Sequence, residues 1–408
     1  MPLVSRTAVL LLLVTQVLSL LRAGVPSRLT RVTQVEGITE FRVSNGLRVL
    51  LFPDPTRTTF TVTVTYRVGS RHEGSGETGM AHLLEHLCGK TPRHPRPGQE
   101  IQSKGGRANA ETSYDYTSYY ETLPATAANL RWAIEFEGDR MANSLVDQRE
   151  LDNERLVVGN ELSRAENNPV NMLGDHMHAA VFEWHGYGHR TLGLATDVRR
   201  VSADRLRSFY RRYYRPDNAV LIVTGRFNES DVLAHVSREF TKIPRPSEAI
   251  EAMYTEEPVQ EGERVVTLRR PTGFQRVQAV YRIPAGSHSD YAPLLVLAEI
   301  MRQTPRGRLH ARLVAAGLAD RVGSNAIQLA DPGLITFGAN ARSGSDLEQL
   351  KRALLATVEG FAEMPPTQEE VTRARNALLR VTKRSLIDSA DTASALSTAI
   401  SMGDWRLF

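Results

Sequence analysis

Apolar and polar positions alternate with period two along Phe60, Val62, Val64 and Tyr66, set against threonines and Arg67. This predicts a strand over Thr58 to Val68 with one buried face. Upstream, partial alternation from Ile38 to Pro53 surrounds Asn45-Gly46, a dipeptide that supplies positive φ at both centres of a type I′ turn, so a hairpin is expected there. A turn rich in glycine (Gly69, Gly74, Gly76, Gly79) leads into a helix through Leu87, and a strand pair follows between Gly105 and Leu123. Helical periodicity covers Ala125 to Asn143, Asp147 to Asn167 and Ala203 to Tyr214, and a strand is predicted over Ala219 to Thr224, after Pro216.

Pro244 to Glu263 carries three prolines and several acids without periodicity, which reads as a linker. Beyond it, strands at Arg264 to Arg269 and Val277 to Ile283, helices at Tyr291 to Gln303 and Gly307 to Ala316, strands near Val322 and Ile335, and helices from Leu347 and Gln368 follow in much the same order as before. The predicted class is α+β: two similar α/β sandwich domains, each a mixed, mostly antiparallel sheet with helices packed on it. They occupy residues 33–243 and 263–408, joined by the linker 244–262. The second is expected to be incomplete at its C-terminal end, because nothing there matches Ala203 to Thr224.

Composition narrows the function classes. With 41% apolar and 24% charged residues the chain of 408 residues is globular, and its single cysteine rules out a disulfide framework or a thiolate metal site. A net charge of +4 over that length is too weak a field to favour nucleic acid. Arg6 followed by the apolar run Ala8 to Leu21 fits a signal peptide over residues 1–24, which implies export to the periplasm or the extracellular space. The run is too short to span a bilayer, so no stable membrane span is expected after signal removal, although Leu21 makes the cleavage pattern ending at Ala23 imperfect and leaves an uncleaved anchor open.

The chemistry concentrates in His82-Leu83-Leu84-Glu85-His86. One helical turn separates His82 from His86, so both imidazoles project from one face at a spacing that suits a single tetrahedral metal, with Glu85 on the same side. Met80, Leu83, Leu84 and Leu87 form the packing stripe beside them. The H-x-x-E-H order is the inverted form of the zinc-protease helix motif. A third ligand can come from the helix Asp147 to Asn167, where Glu154, Val157, Val158, Glu161 and Leu162 line one stripe. Carboxylates on a buried stripe need partners, either a zinc ion with a histidine hydrogen bond or salt bridges to nearby arginines. Cys88 points roughly 200° round the helix from His86 and reads as a packing thiol. The arginine- and tyrosine-rich stretch Arg205 to Arg215 reads as a solvated helix face, and His176, His178, His185 and His189 fit no compact metal template.

His82 to His86 followed by Glu161 resembles the signature of the pitrilysin and insulinase family of zinc metallopeptidases, at a separation close to the family's, and the likeness extends over essentially the whole mature chain. The resemblance implies zinc held by His82, His86 and Glu161, Glu85 as the base that activates water, and Glu154 as supporting acid. Gly105 to Thr112 looks like the family's edge strand, implying that Ala108, Asn109, Ala110 and Thr112 line an extended peptide substrate. The physics agrees, since an unpaired strand edge binds peptide backbone. Gly307 to Leu313 and Gly317-Leu318-Ala319 resemble the second domain's helix and turn, with Asp320 where many members have tyrosine. The expected function is a zinc-dependent endopeptidase acting on unfolded peptides or small proteins, its chamber completed by a second half from a homodimer or a related chain. The competing expectation is a catalytically silent or partner-dependent structural half of a peptidase-type complex, and a third is a zinc-binding module without hydrolysis.

Overall fold

A computed structural model describes residues 28–408 apart from Thr272, so the expected signal segment 1–24 lies outside the described residues. Seven strands form one mixed sheet: β1 (Leu29–Val35), β2 (Ile38–Val43), β3 (Arg48–Pro53), β4 (Thr59–Tyr66), β5 (Arg107–Thr112), β6 (Thr117–Pro124) and β7 (Ala219–Gly225), in the order β1-β2-β3-β7-β4-β6-β5. Only β3 and β7 pair in parallel; the other neighbours are antiparallel. Helices Ala127–Asn143 and Gln148–Glu166 start where expected, each closed by a side-chain cap: Thr126 accepts from the Asn129 amide and Asp147 from that of Glu150.

The hairpin over Ile38 to Pro53 forms, but Asn45-Gly46 does not make its turn in the expected way. Positive φ is found at Gly46 and not at Asn45, and the Gly46 amide donates to Val43 O while Val43 N donates to Leu47 O. This is a three-residue loop with glycine in the left-handed position. Asn45 is buried and its amide nitrogen donates to Phe240 O (2.7 Å) and Ile243 O (2.9 Å), so tertiary bonds decide its backbone. The type I′ geometry occurs instead at Glu36-Gly37, where both φ values are positive (47° and 87°), between β1 and β2.

The strand β4 is buried on both faces, against the expectation of one. Phe60, Val62, Val64 and Tyr66 enter the main core with Val49, Leu51, Leu221 and Val223 and with the helices on that side. The threonine face is covered by helix Ser389–Ser401: Thr61 bonds Ser389 (2.7 Å), Thr65 bonds Ser397 (2.7 Å) and Thr224 donates to Ser389 O (2.7 Å). Alternate residues Leu50, Val220 and Ile222 complete that layer with Ala393, Leu396, Ile400 and Trp405. The end of the chain, expected to belong to the second unit, therefore packs on the first unit's sheet.

In the second unit β8 (Arg276–Ile283), β9 (Ala319–Ile327) and β10 (Gly333–Ala341) form an antiparallel sheet in the order β8-β10-β9. Helices Tyr291–Arg302 and Leu347–Glu359 share its core. The strand expected at Arg264 to Arg269 is absent. Its adjacent valines 265 and 266 are both exposed, and Arg264 and Arg270 bond instead to Ala180 O and Glu166 O of the first unit's helices. The linker is also tied down: the Glu257 carboxylate accepts from the amides of Glu183, Trp184 and His185, and Pro258 O accepts from Arg282. Among the described residues no helix is long and apolar enough to cross a membrane.

Because Leu396 is fully buried against the first unit's sheet, Leu396→Ala is expected to destabilise the chain by about 2–5 kcal/mol. Urea unfolding followed by probes in the first unit checks this, since loss confined to second-unit probes would contradict the packing.

Candidate metal centre

Helix Met80–Leu87 opens at Gly79, and the carboxylate of Glu73 accepts from the amides of both Gly79 and Ala81 at 2.8 Å. Accepting from two otherwise orphaned N–H groups fixes this helix N-terminus, although burial raises the Glu73 carboxyl to about 8. Ala81, Leu83, Leu84 and Leu87 are buried against the core, which leaves His82, Glu85 and His86 on the flank. Tyr119 on β6 donates to Leu84 O (3.1 Å) and anchors the helix from below.

From the neighbouring helix Gln148–Glu166 comes Glu161, whose Oε2 lies 3.6 Å from His82 Nε2 and 3.7 Å from His86 Nε2. The ligand atoms of His82, His86 and Glu161 all fall within 4.8 Å of one another. Ligands on a tetrahedral zinc stand about 3.4 Å apart, so the three residues fit such an ion with small adjustment. Glu154 lies 3.2 Å from His86 Nδ1, so a proton on that nitrogen leaves the Nε2 lone pair directed toward the shared point. His82 has no hydrogen-bond partner at its buried Nδ1 among the described residues, as is also true of one ring nitrogen each of His94 and His189. Burial, reinforced by His86, lowers the His82 imidazole to about 4, so at neutral pH it is uncharged and able to donate a lone pair. The hydrogen bond that His86 donates to Glu154 raises its imidazole against the opposing effect of burial.

Glu85 is half-buried on the motif helix, next to His86, and that helix packs against β5. The Glu85 carboxyl is raised by burial, with the Thr112 hydroxyl and His86 pulling the other way. The strand β5 pairs with β6 alone among the described residues, so its outer edge is open beside the site; Ala108 and Asn109 are exposed, Ala110 and Thr112 half-buried. Thus His82, Glu85, His86, Glu154 and Glu161 converge, with the strand carrying Ala108 to Thr112 alongside.

The stripe expected on helix Gln148–Glu166 differs in one respect. Leu151, Val158 and Leu162 form a narrow buried seam, while Val157 is 45% exposed and Glu154 and Glu161 sit on the half-buried flank. Neither carboxylate pairs with an arginine among the described residues; both face histidines. Cys88 is buried, its thiol pushed up to about 12 by burial, and lies outside the cluster. His178 stacks on Tyr114 and His185 bonds Asp331 (3.2 Å), both in packing roles, while His176 is exposed. Tyr210, Tyr213 and Tyr214 are core residues. Glu73 and Tyr119 carried no local signal: each acts on backbone groups, through contacts that no spacing rule encodes.

Comparison with known proteins gives a consistent picture. Residues 48–194 match the family described as Insulinase (Peptidase family M16), and residues 200–378 match the Peptidase M16 inactive domain. The zinc protease PqqE of Helicobacter pylori is 29% identical over 82% of this chain and 76% of its own. A probable mitochondrial-processing peptidase subunit beta of Arabidopsis thaliana is 27% identical over 87% of this chain and 68% of its own. The solved structure of a protease from Helicobacter pylori superposes with a TM-score of 0.85 over 90% of each chain at 27% identity. The periplasmic protease PqqL of Escherichia coli shares the fold at 22% identity with a TM-score of 0.74; this chain spans 45% of its length.

Beneath the motif helix, Arg140 pairs with Glu121 (2.7 Å) and Glu137 (2.9 Å), all three in the core, and lies over the rings of Tyr119 and Phe136. Two carboxylates against one guanidinium leave one negative charge too many for a dry site. Burial, with repulsion from Glu121 working against the attraction of Arg140, pushes Glu137 well above the carboxylate range, so it holds a proton. A carboxyl raised on folding stabilises fully below the unfolded-chain value and loses that contribution as pH rises toward the native value. The variant Glu137→Gln needs no proton. Relative to the parent it is expected to match in stability near pH 4 and to gain with rising pH, by at most about 1.4 kcal/mol per pH unit; urea midpoints from pH 4 to pH 9 measure the slope.

Proposed function

The chain belongs to the insulinase (M16) peptidase family, and from that membership we propose that it is a zinc-dependent endopeptidase hydrolysing unfolded peptides or small proteins. The observation that carries this reading is the convergence of His82, His86 and Glu161 within 4.8 Å, with Glu85 alongside at an open strand edge. The three converging residues hold the ion, and Glu154 orients His86 through its Nδ1. Zinc, when bound, supplies a Lewis acid that lowers the pKa of a water and polarises the scissile carbonyl. Glu85 accepts the proton of the attacking water and delivers it to the leaving amine. An extended peptide adds to the outer edge of β5, beside Ala108, Asn109, Ala110 and Thr112, through backbone hydrogen bonds that read little sequence.

The limited span on PqqL, and relatives described as a peptidase subunit, support a second half-chamber supplied by another copy or a related chain. Periplasmic protease neighbours support export. A partner-dependent half is the reading to weigh against activity of the chain alone, since part of the chain matches an inactive domain.

The test is cleavage of a quenched unfolded-peptide library by the purified chain, with chelator and with added zinc. Glu85→Gln is expected to lose about a hundredfold or more in turnover while keeping its zinc. His82→Ala and Glu161→Gln are expected to weaken zinc by about tenfold or more. Full activity in Glu85→Gln overturns the assignment of the base; zinc bound without cleavage by the parent chain assigns it to a partner-dependent half.

A further inference from the structure

Asp115 lies in the turn that joins β5 to β6 and is 2% exposed. Two donors and one ion-pair partner, from three separate parts of the chain, surround its carboxylate. Tyr187 donates its hydroxyl to Oδ1 (2.6 Å), Arg71 Nε lies 3.0 Å from the same oxygen, and the Ala330 amide donates to Oδ2 (3.0 Å). Arg71 belongs to the short turn Ser70–His72 just upstream of the motif helix, whereas Ala330 belongs to the second unit's turn between β9 and β10. The contact is braced on every side. Arg71 also pairs with Asp331, His185 Nε2 lies 3.2 Å from the same Asp331 carboxylate, and the Asp331 amide donates to the Tyr187 hydroxyl (3.1 Å). The amides of Ser70 and Arg71 donate to Ser113 O and Tyr114 O, both at 3.1 Å. A Cβ on Gly69 would stand 2.2 Å from Ser113 O, so the two turns have no slack between them.

The strand β5 has a ladder on one side only and is largely exposed, so its height beside the motif helix depends on how its ends are held. Asp115 follows by three residues Thr112, the last residue of β5, and that strand packs against the motif helix. A carboxylate buried between two hydrogen bonds and an ion pair from three elements is directional, and removing either donor leaves one of its oxygens poorly satisfied. We infer that Asp115 is a positioning residue, through which the second unit's β9–β10 turn sets the place of the peptide-binding edge strand relative to the motif helix. The second unit thereby governs peptide binding without reaching the metal ligands. This inference rests on the peptidase reading for its consequence, but not for its structural core.

Two variants of the full chain test it: Asp115→Asn, and Tyr187→Phe, which removes one donor from a fully buried ring and preserves its shape. Amide hydrogen exchange over residues 107–116 is expected to accelerate about fivefold or more, with β3 and β7 amides unchanged. On an unfolded peptide KM is expected to rise about fivefold, with kcat and bound zinc within about twofold of the parent. Unchanged exchange over 107–116, or a uniform acceleration across the whole sheet, overturns the inference, as does local acceleration with an unaltered KM. A parent chain that binds zinc but cleaves nothing overturns activity of the chain alone in favour of a partner-dependent half, and the exchange measurement still decides the role of Asp115.

Discussion

The removal of both faces of β3, β7 and β4 from water is the constraint on which the rest of the structure depends. One face builds the main core, and the other is closed by helix Ser389–Ser401 with Leu396, Ile400 and Trp405. The closing layer is partly polar. Thr61 meets Ser389 across 328 positions of sequence, and hydroxyl bonds at Thr61, Thr65 and Thr224 satisfy those oxygens beside buried methyls, while the Thr63 hydroxyl between them has no partner among the described residues. Trp405 completes the seal, donating its indole N–H to Glu40 at 2.8 Å. A sheet held in this way is stiff, and the motif helix is built directly on it.

From that platform the site follows by successive restraints. Glu73 anchors the first amides of the motif helix, Tyr119 holds one of its carbonyls, and a buried seam of Leu151, Val158 and Leu162 presses the second helix alongside. What remains for His82, His86, Glu154 and Glu161 is a half-buried flank, dry enough to keep His82 neutral yet still reached by solvent. The same partial burial explains why the carboxylates are not quenched by arginines, which occupy other partners such as Asp152 for Arg155.

The link between the units is more polar than the cores it joins. Phe182, Tyr187, Leu329 and Leu334 make a small apolar cluster, and around it Arg71 pairs with Asp115 and Asp331 while His185 bonds Asp331. A linker without regular structure is nevertheless pinned at Glu257 and Pro258, one on each unit. Low periodicity in sequence therefore describes the absence of a helix or strand there and not freedom of movement.

By itself the sequence determined whatever depends on neighbours within a turn or two of chain. The positions of the motif helix and its histidine pair, the helices over Ala125 to Asn143 and Asp147 to Asn167 to within about two residues, and the α+β class follow from periodicity, which is local. The convergence of Glu161 with His82 and His86 was legible in part, because helical period places Glu154 and Glu161 on one flank; which flank is buried was not, and Val157 fell on the open side. Only the tertiary structure decided the rest. Asn45 has its backbone set by Phe240 and Ile243, the threonine face of β4 is covered by a helix from the far end of the chain, and valines 265 and 266 find no sheet to join. Asp115 is linked to Ala330 across 215 positions. The physical reason is common to all of them: burial and hydrogen-bond satisfaction are properties of the assembled surroundings, and residues that meet only after folding leave no period in the sequence.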